Sequence, residues 1–303
     1  MRSTWEVKPE MRLARVACAG EVFWAALEGD DHLRHIRAPF DRWAGLLAAR
    51  GAEVLDLAAE PIALAGCRLL PPLEPGARAF GIGLNYLSHL ERLGSQAPAH
   101  SLGYIKPASA LIGAYDEIGY PPLTRELDYE VELVAVLARP LGEEPRASAC
   151  LLGYTVGNDI SARDAGRQIA RLDLLTQKAM DRTTPVGPWI VTLDEFGGAG
   201  QPALEISLSV NGERRQLDNT RQMIFGIDEL LNYVDARITL QPGDLLFTGS
   251  SHGVGLESGR FLEPGDTVEA RIEGIGRLCN RVGARRRLPA ARSVGRLGMP
   301  VGP

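Results

Sequence analysis

Apolar residues in this chain come mostly in short runs of strand length bounded by Gly, Pro and Asp, and few stretches carry helical spacing. The runs Leu13 to Ala17, Val22 to Leu27, Glu130 to Ala138, Trp189 to Thr192, Leu204 to Val210, Leu245 to Thr248 and Thr267 to Ile272 predict strands. Phe40 to Arg50, Tyr86 to Leu93, Ala165 to Thr176 and Phe225 to Ala236 predict helices. Pro242-Gly243-Asp244 and Pro264-Gly265-Asp266 each introduce a strand, which fits a rolled or barrel-like sheet better than a doubly wound one. The Pro-rich stretch from Leu70 to Gly76 marks a boundary, giving a small N-terminal α+β domain (1–75), a larger domain (76–283) and a basic C-terminal tail (284–303). Met11 begins the first strand-like run, so residues 1–10 read as an appended start. The expected class is mixed α/β, rich in strands.

Composition narrows the function. The 303 residues are 45% hydrophobic and 23% charged, an ordinary globular balance. A net charge of −5 argues against a phosphate-backbone partner, so no nucleic acid is expected. The exception is the acid-free run carrying Arg281, Arg285, Arg286, Arg287, Arg292 and Arg296, read as a solvated tail or an interaction arm. No stretch reaches the roughly 18 apolar residues of a membrane span, and the N-terminus lacks the order of a signal peptide. Cys18, Cys67, Cys150 and Cys279 form no CxxC pair, so neither a zinc site nor a disulfide is expected and a cytoplasmic location fits.

The run Leu127 to Leu137 is apolar on both faces from Val131 onward, as in a strand buried on both sides, yet it carries Glu130 and Glu132. Residues i and i+2 of a strand share a face, so the two carboxylates point the same way. Burying them together requires positive charge, which a hard divalent cation supplies through oxygen ligands. A strand end whose glutamates reach water or pair with arginines is the other reading. Asp159 closes a further strand-like run at Gly153 to Asp164, where it is either a third ligand or a helix cap.

Seven segments then carry a resemblance. Gly81-Ile82-Gly83-Leu84-Asn85-Tyr86 with His89, Tyr104 to Leu111, Asp128 to Leu133, Asn158 to Asp164, Gly187 to Thr192, Asn219 to Phe225 and Thr248-Gly249-Ser250 occur in the order and spacing of the fumarylacetoacetate hydrolase family, over about residues 78–283. The resemblance implies a mixed β-roll with flanking helices, usually dimeric, acting on a small 2-oxo acid. It implies metal ligation by Glu130, Glu132 and Asp159, with Mg²⁺ or alternatively Mn²⁺ or Ca²⁺. It places Lys178 in the site and Arg163 near the substrate, and it brings Lys106 and Ser250 to the substrate pocket. A 2-oxo carboxylate can chelate the ion, which then stabilises the enolate formed when a bond to C3 breaks. His89 resembles the family histidine that activates water together with a glutamate three residues on.

The sequence departs from that pattern in places. Position 92 is arginine, and Glu91, the nearest glutamate, sits two residues from His89, about 200° around a helix. Glu91 is the candidate catalytic carboxylate for His89 but is poorly placed to orient it, and Arg92 either grips a second substrate carboxylate or is a solvated helix residue. Gly166 stands where the family often has glutamine, with Gln168 close by, and Ser250-Ser251-His252 stands where the family tends to have Thr-Pro and a small residue, so His252 either supplies an acid or base or shapes its loop. Gly249-Ser250-Ser251-His252-Gly253 matches a nucleophile elbow, but Val254 to Gly259 does not read as a helix and no histidine follows His252. The expected activity is metal-dependent carbon–carbon hydrolysis of an acylpyruvate-like substrate through a metal-bound enolate. A decarboxylase, isomerase or lyase in the same site is the alternative, and a non-catalytic ligand binder is a third.

Overall fold

The computed structural model describes residues 11–166 and 173–287. The N-terminal part supplies β1 (Arg12–Cys18), β2 (Glu21–Glu28), β3 (His32–His35), α1 (Phe40–Arg50), β4 (Ile62–Ala63) and β5 (Cys67–Leu70). Then come β6 (Ala79–Gly83), α2 (Leu87–Leu93), β7 (Leu102–Lys106), β8 (Leu111–Ile112), β9 (Ile118–Tyr120), β10 (Leu127–Asp128), β11 (Val131–Leu137) and β12 (Leu151–Asn158). The chain continues through β13 (Ser161–Ala162), α3 (Arg163–Gly166), α4 (Leu174–Lys178), β14 (Thr184–Thr192), β15 (Glu205–Val210) and β16 (Glu213–Asn219). It closes with α5 (Ile227–Asp235), β17 (Leu245–Phe247), α6 (Gly255–Ser258), β18 (Thr267–Ile272) and β19 (Gly276–Arg285).

A mixed sheet runs β4-β3-β2-β1-β14-β12-β11-β17-β6-β7, with β5 on β1 and β8 on β14, and a second sheet runs β16-β15-β18-β19-β9. β11 explains its own sequence. Leu133, Ala135 and Leu137 pack into the core shared with Ile206, Leu208, Val268 and Leu278 of the second sheet. Val134 and Val136 point the other way, onto a cluster that includes Trp43 and Leu47 of α1. Both faces are therefore dry, and the run has no polar alternation beyond Glu132.

The sheet is continuous across the boundary expected near residue 75, because β1 pairs with β14 at Arg12↔Val191 and Leu13↔Ile190. The Pro242-Gly243-Asp244 and Pro264-Gly265-Asp266 turns place their glycines at φ +86° and +96°, as a type II turn requires, and lead into β17 and β18. Of the expected helix at Ala165 to Thr176, the described residues place Ala165 and Gly166 in α3 and Leu174, Leu175 and Thr176 in α4, while 167–172, Gln168 among them, lie outside the described residues. Strand β19 runs through Arg285, past the boundary expected at 284, and Arg292 and Arg296 lie outside the described residues.

Two expectations are corrected. Cys18 and Cys67 sit directly opposite each other on antiparallel β1 and β5, with Cα atoms 4.6 Å apart, and are joined as a disulfide. A separation of 49 residues without a second paired motif hid this from the sequence, and it removes the cysteine argument for a reducing compartment. The stretch after Gly253, read as non-helical, contains the helical turn α6. Among the described residues, no helix is long and apolar enough to cross a membrane.

Candidate active site

The register of β11 on β12 builds the centre. Val131 faces Asn158, so Glu130 and Asp159, the next residue on each strand, become neighbours, and Asp159 N–H donates to Glu130 O at 2.8 Å. Asn158 Oδ1 accepts the Glu130 N–H at 3.0 Å, fixing the corner. Glu132 lies on the same strand face as Glu130. Carboxylate oxygens of Glu130, Glu132 and Asp159 fall within 4.8 Å of one another, and all three residues are buried.

Cations cover this cluster unevenly. Lys178, at the end of α4, donates to Glu130 and, at 2.8 Å, to Asp159 Oδ2. Lys106, at the end of β7, donates to Asp159 and to the Lys178 carbonyl at 2.7 Å, and the Tyr104 hydroxyl also donates to Asp159. Arg163 bridges Glu130 and Asp128. Burial by itself raises the Asp159 and Glu130 carboxyls. Lys106 and Lys178 outweigh it and hold Asp159 well below the usual range, while Arg163 and Lys178 lower Glu130. Glu132 is different, since burial, Asp159 and Glu130 all push it well above the usual range. It accepts the Gly249 N–H at 2.7 Å.

Four buried acids (Asp128, Glu130, Glu132 and Asp159) thus face three buried bases (Lys106, Arg163 and Lys178). A hard divalent ion fits this oxygen-only donor set and compensates the charge at Glu132. Gly249 makes the approach possible. Its φ is +94°, and an added Cβ would lie 2.8 Å from Asn85 Cβ.

His89 joins the centre by another route. Its Nδ1 lies 2.7 Å from Oε1 of Glu257, 168 residues later, while Glu91 is exposed on α2. The carboxylate on His89 is therefore Glu257, which corrects the assignment to Glu91. Glu257 Oε2 accepts the Gly253 N–H at 2.8 Å. Burial raises this carboxyl, and the bonds from His89 and Gly253 bring it below its ordinary value. Asp128 ties the two halves together. It accepts from Arg163 Nε at 2.8 Å and from the Gly255 and Leu256 N–H groups of α6 at 2.5 and 3.0 Å. One buried carboxylate thus fixes both the arginine on Glu130 and the turn that presents Glu257.

Ser250 Oγ donates to Val131 O at 3.1 Å and receives Gln216 Nε2 at 3.0 Å, and Gln216 also reaches the carbonyls of Ser251 and His252. The 250–252 loop is thus pinned across β11. His252 is half-buried there, and Arg92 is exposed beside a pocket that Glu257 also lines. Glu257, Asp128, Tyr104 and Gln216 were missed as site residues. Tyr104 shares a strand face with Lys106 and Asp128 precedes the glutamate pair, which were usable signals, whereas nothing near Glu257 marks it.

A family model described as fumarylacetoacetate (FAA) hydrolase, C-terminal, matches residues 78–283. The protein Rv2993c of Mycobacterium tuberculosis is 36% identical over 275 residues, 90% of this chain and 98% of that one. The mitochondrial oxaloacetate tautomerase Fahd2a of Rattus norvegicus is 37% identical over 218 residues, 70% of this chain and 68% of that one. The crystal structure of 5-carboxymethyl-2-hydroxymuconate delta-isomerase from Mycobacterium smegmatis superposes with a TM-score of 0.76 at 32% identity, covering 91% of this chain and 100% of that one.

Proposed function

Because the chain belongs to the fumarylacetoacetate hydrolase family, we propose that it is a divalent-metal-dependent isomerase or tautomerase that moves a proton on a 2-oxo acid. The observation that carries this reading is the buried triad of Glu130, Glu132 and Asp159 next to the charged Lys178, in a molecule that also holds His89 oriented by Glu257. Two of its relatives, a tautomerase and an isomerase by name, support the same class.

A divalent ion held by the triad supplies Lewis-acid polarisation of the 2-oxo and carboxylate oxygens when bound. Lys178, kept protonated against its burial by Asp159 and Glu130, adds positive charge where enolate oxygen develops. His89 takes the proton from C3 or returns it, with Glu257 fixing its tautomer. Arg163, held by Asp128, keeps Glu130 ionised and available as a ligand. The same reading takes Mg²⁺ as the ion, with Mn²⁺ or Ca²⁺ as substitutes, and a homodimer as the working form. Hydrolysis of acylpyruvates is the second reading, favoured by the His89–Glu257 pair, which can equally activate water.

The test is a parallel assay with Mg²⁺, following decay of enol-oxaloacetate absorbance and release of acid from acylpyruvates. Enol decay faster than in the protein-free control, without acid release, is expected. Acid release without enol turnover would replace the first reading by the second.

A further inference from the structure

On β16 the polarity runs against burial: Gln216 is fully buried, while its neighbour Leu217 is 37% exposed. Turning an amide inward and a leucine outward does not favour stability, so the position answers to something else. Gln216 lies opposite Leu208 of β15 and shares its buried face, and the next pair along is Ser209 with Arg214, which leaves Arg215 as the extra residue of a bulge.

The Gln216 amide closes a ring of hydrogen bonds around Val131, the residue between Glu130 and Glu132. Its Oε1 accepts the Val131 N–H at 3.0 Å, its Nε2 donates to Ser250 Oγ at 3.0 Å, and Ser250 Oγ donates to the Val131 carbonyl at 3.1 Å. Both peptide groups that separate the two glutamates are thus held by side chains from outside β11. The same Nε2 reaches the carbonyls of Ser251 and His252 at 3.1 and 3.3 Å. Gly253 lies directly against β16, where an added Cβ would fall 2.2 Å from the Arg215 carbonyl. The loop held in this way serves both halves of the site. Its Gly249 N–H donates to Glu132 at 2.7 Å and its Gly253 N–H to Glu257 at 2.8 Å.

We propose that Gln216 is the positioning residue that fixes the Glu130–Glu132–Asp159 triad and the His89–Glu257 pair relative to each other. It acts from the second sheet, through Val131 and the 249–253 loop, and is itself neither ligand nor base. The inference rests on the reading of the site given above and adds to Asp128 a second tie between its halves.

Gln216→Met keeps the length of the side chain and removes all of these bonds. Mn²⁺ binding by calorimetry is expected to weaken about 10- to 100-fold, the range for losing a group that orients metal ligands. At saturating Mn²⁺, kcat for enol turnover should fall at least about tenfold with KM little changed. A merely structural role would lower the melting temperature and leave both values, measured far below it, at the parental level, and that result overturns the proposal. In a Glu257→Gln background the further loss of kcat should be smaller than in the parent, because part of it runs through Glu257, whereas losses that simply multiply overturn the proposal. Ser250→Ala opens the ring and leaves Gln216 its bonds to the next two carbonyls. It should weaken Mn²⁺ binding and spare more of kcat, and it decides the matter where Gln216→Met does not fold, with parental Mn²⁺ affinity counting against the proposal. Amide hydrogen exchange over residues 249–253 of the metal-free protein separates this proposal from the reading it rests on. If the parent neither binds Mn²⁺ nor turns over enol, that reading falls, while faster exchange in Gln216→Met still assigns the order of the loop to Gln216. Equal exchange in parent and variant overturns the proposal.

Discussion

Replacing Glu257 by glutamine keeps the shape of the side chain and removes the charge that faces His89 at 2.7 Å. A hydrogen bond to a charged partner contributes about 1.5–3 kcal/mol against about 1 kcal/mol for a neutral one, so the resting protein loses roughly 1–2 kcal/mol. The larger effect falls on the step in which His89 becomes positively charged. A positioned general base contributes about 10²- to 10⁴-fold, so kcat should fall at least about a hundredfold with KM little changed. Glu91→Gln, on the exposed side of α2, should leave the rate within about twofold. The Glu257 carboxyl lies below its ordinary value in the folded protein, so its stabilising contribution is present above the unfolded value of about 4.3 and is lost as pH falls through the folded value. The stability gap between parent and Glu257→Gln, measured by urea unfolding, should therefore be open at neutral pH and close in acid. Steady-state enol turnover against pH gives the catalytic part. A Glu257→Gln protein with parental kcat and an unchanged pH profile would refute the pairing as a catalytic device.

Other outcomes follow from the same contacts. Glu132→Gln should abolish Mn²⁺ binding in a calorimeter while raising the melting temperature of the metal-free protein by a few degrees, because burial beside Asp159 and Glu130 disfavours the charged form. Asp128→Asn should cost about 3 kcal/mol in chemical denaturation, since it strips buried Arg163 of one partner and α6 of its anchor. Purified without reductant and alkylated in denaturant, the chain should offer two reactive thiols, Cys150 and Cys279. Cys67→Ser should lower stability by up to about 4 kcal/mol, the loop-closure value for 49 residues.

What the sequence disclosed follows the range of the interactions involved. The alternation that puts Glu130 and Glu132 on one face is a property of the strand itself, and the doubly buried run beyond them marks a central position, so both were legible. The position of Asp159 depends on strand register, which the resemblance supplied and spacing alone did not. Glu257 lies 168 residues from His89 on a four-residue helical turn, too short to leave a periodic signal, and the nearby Glu91 offered a false partner. The Cys18–Cys67 bond was hidden for the same reason, being created by β1 and β5 meeting in the sheet. Helix and strand runs such as Phe40–Arg50 and Thr267–Ile272 were read to the residue, whereas β7 and β16 went unread because their burial alternates around polar or glycine positions.

The most direct test of the account is proton NMR of oxaloacetate in D₂O with the Mg²⁺-loaded protein, following exchange at C3 and the carbon skeleton together. The account predicts deuterium entering C3 faster than in the metal-only control, with the skeleton intact, and loss of that acceleration in Glu132→Gln and His89→Ala. Exchange no faster than the control, or acceleration that persists in both variants, would contradict it.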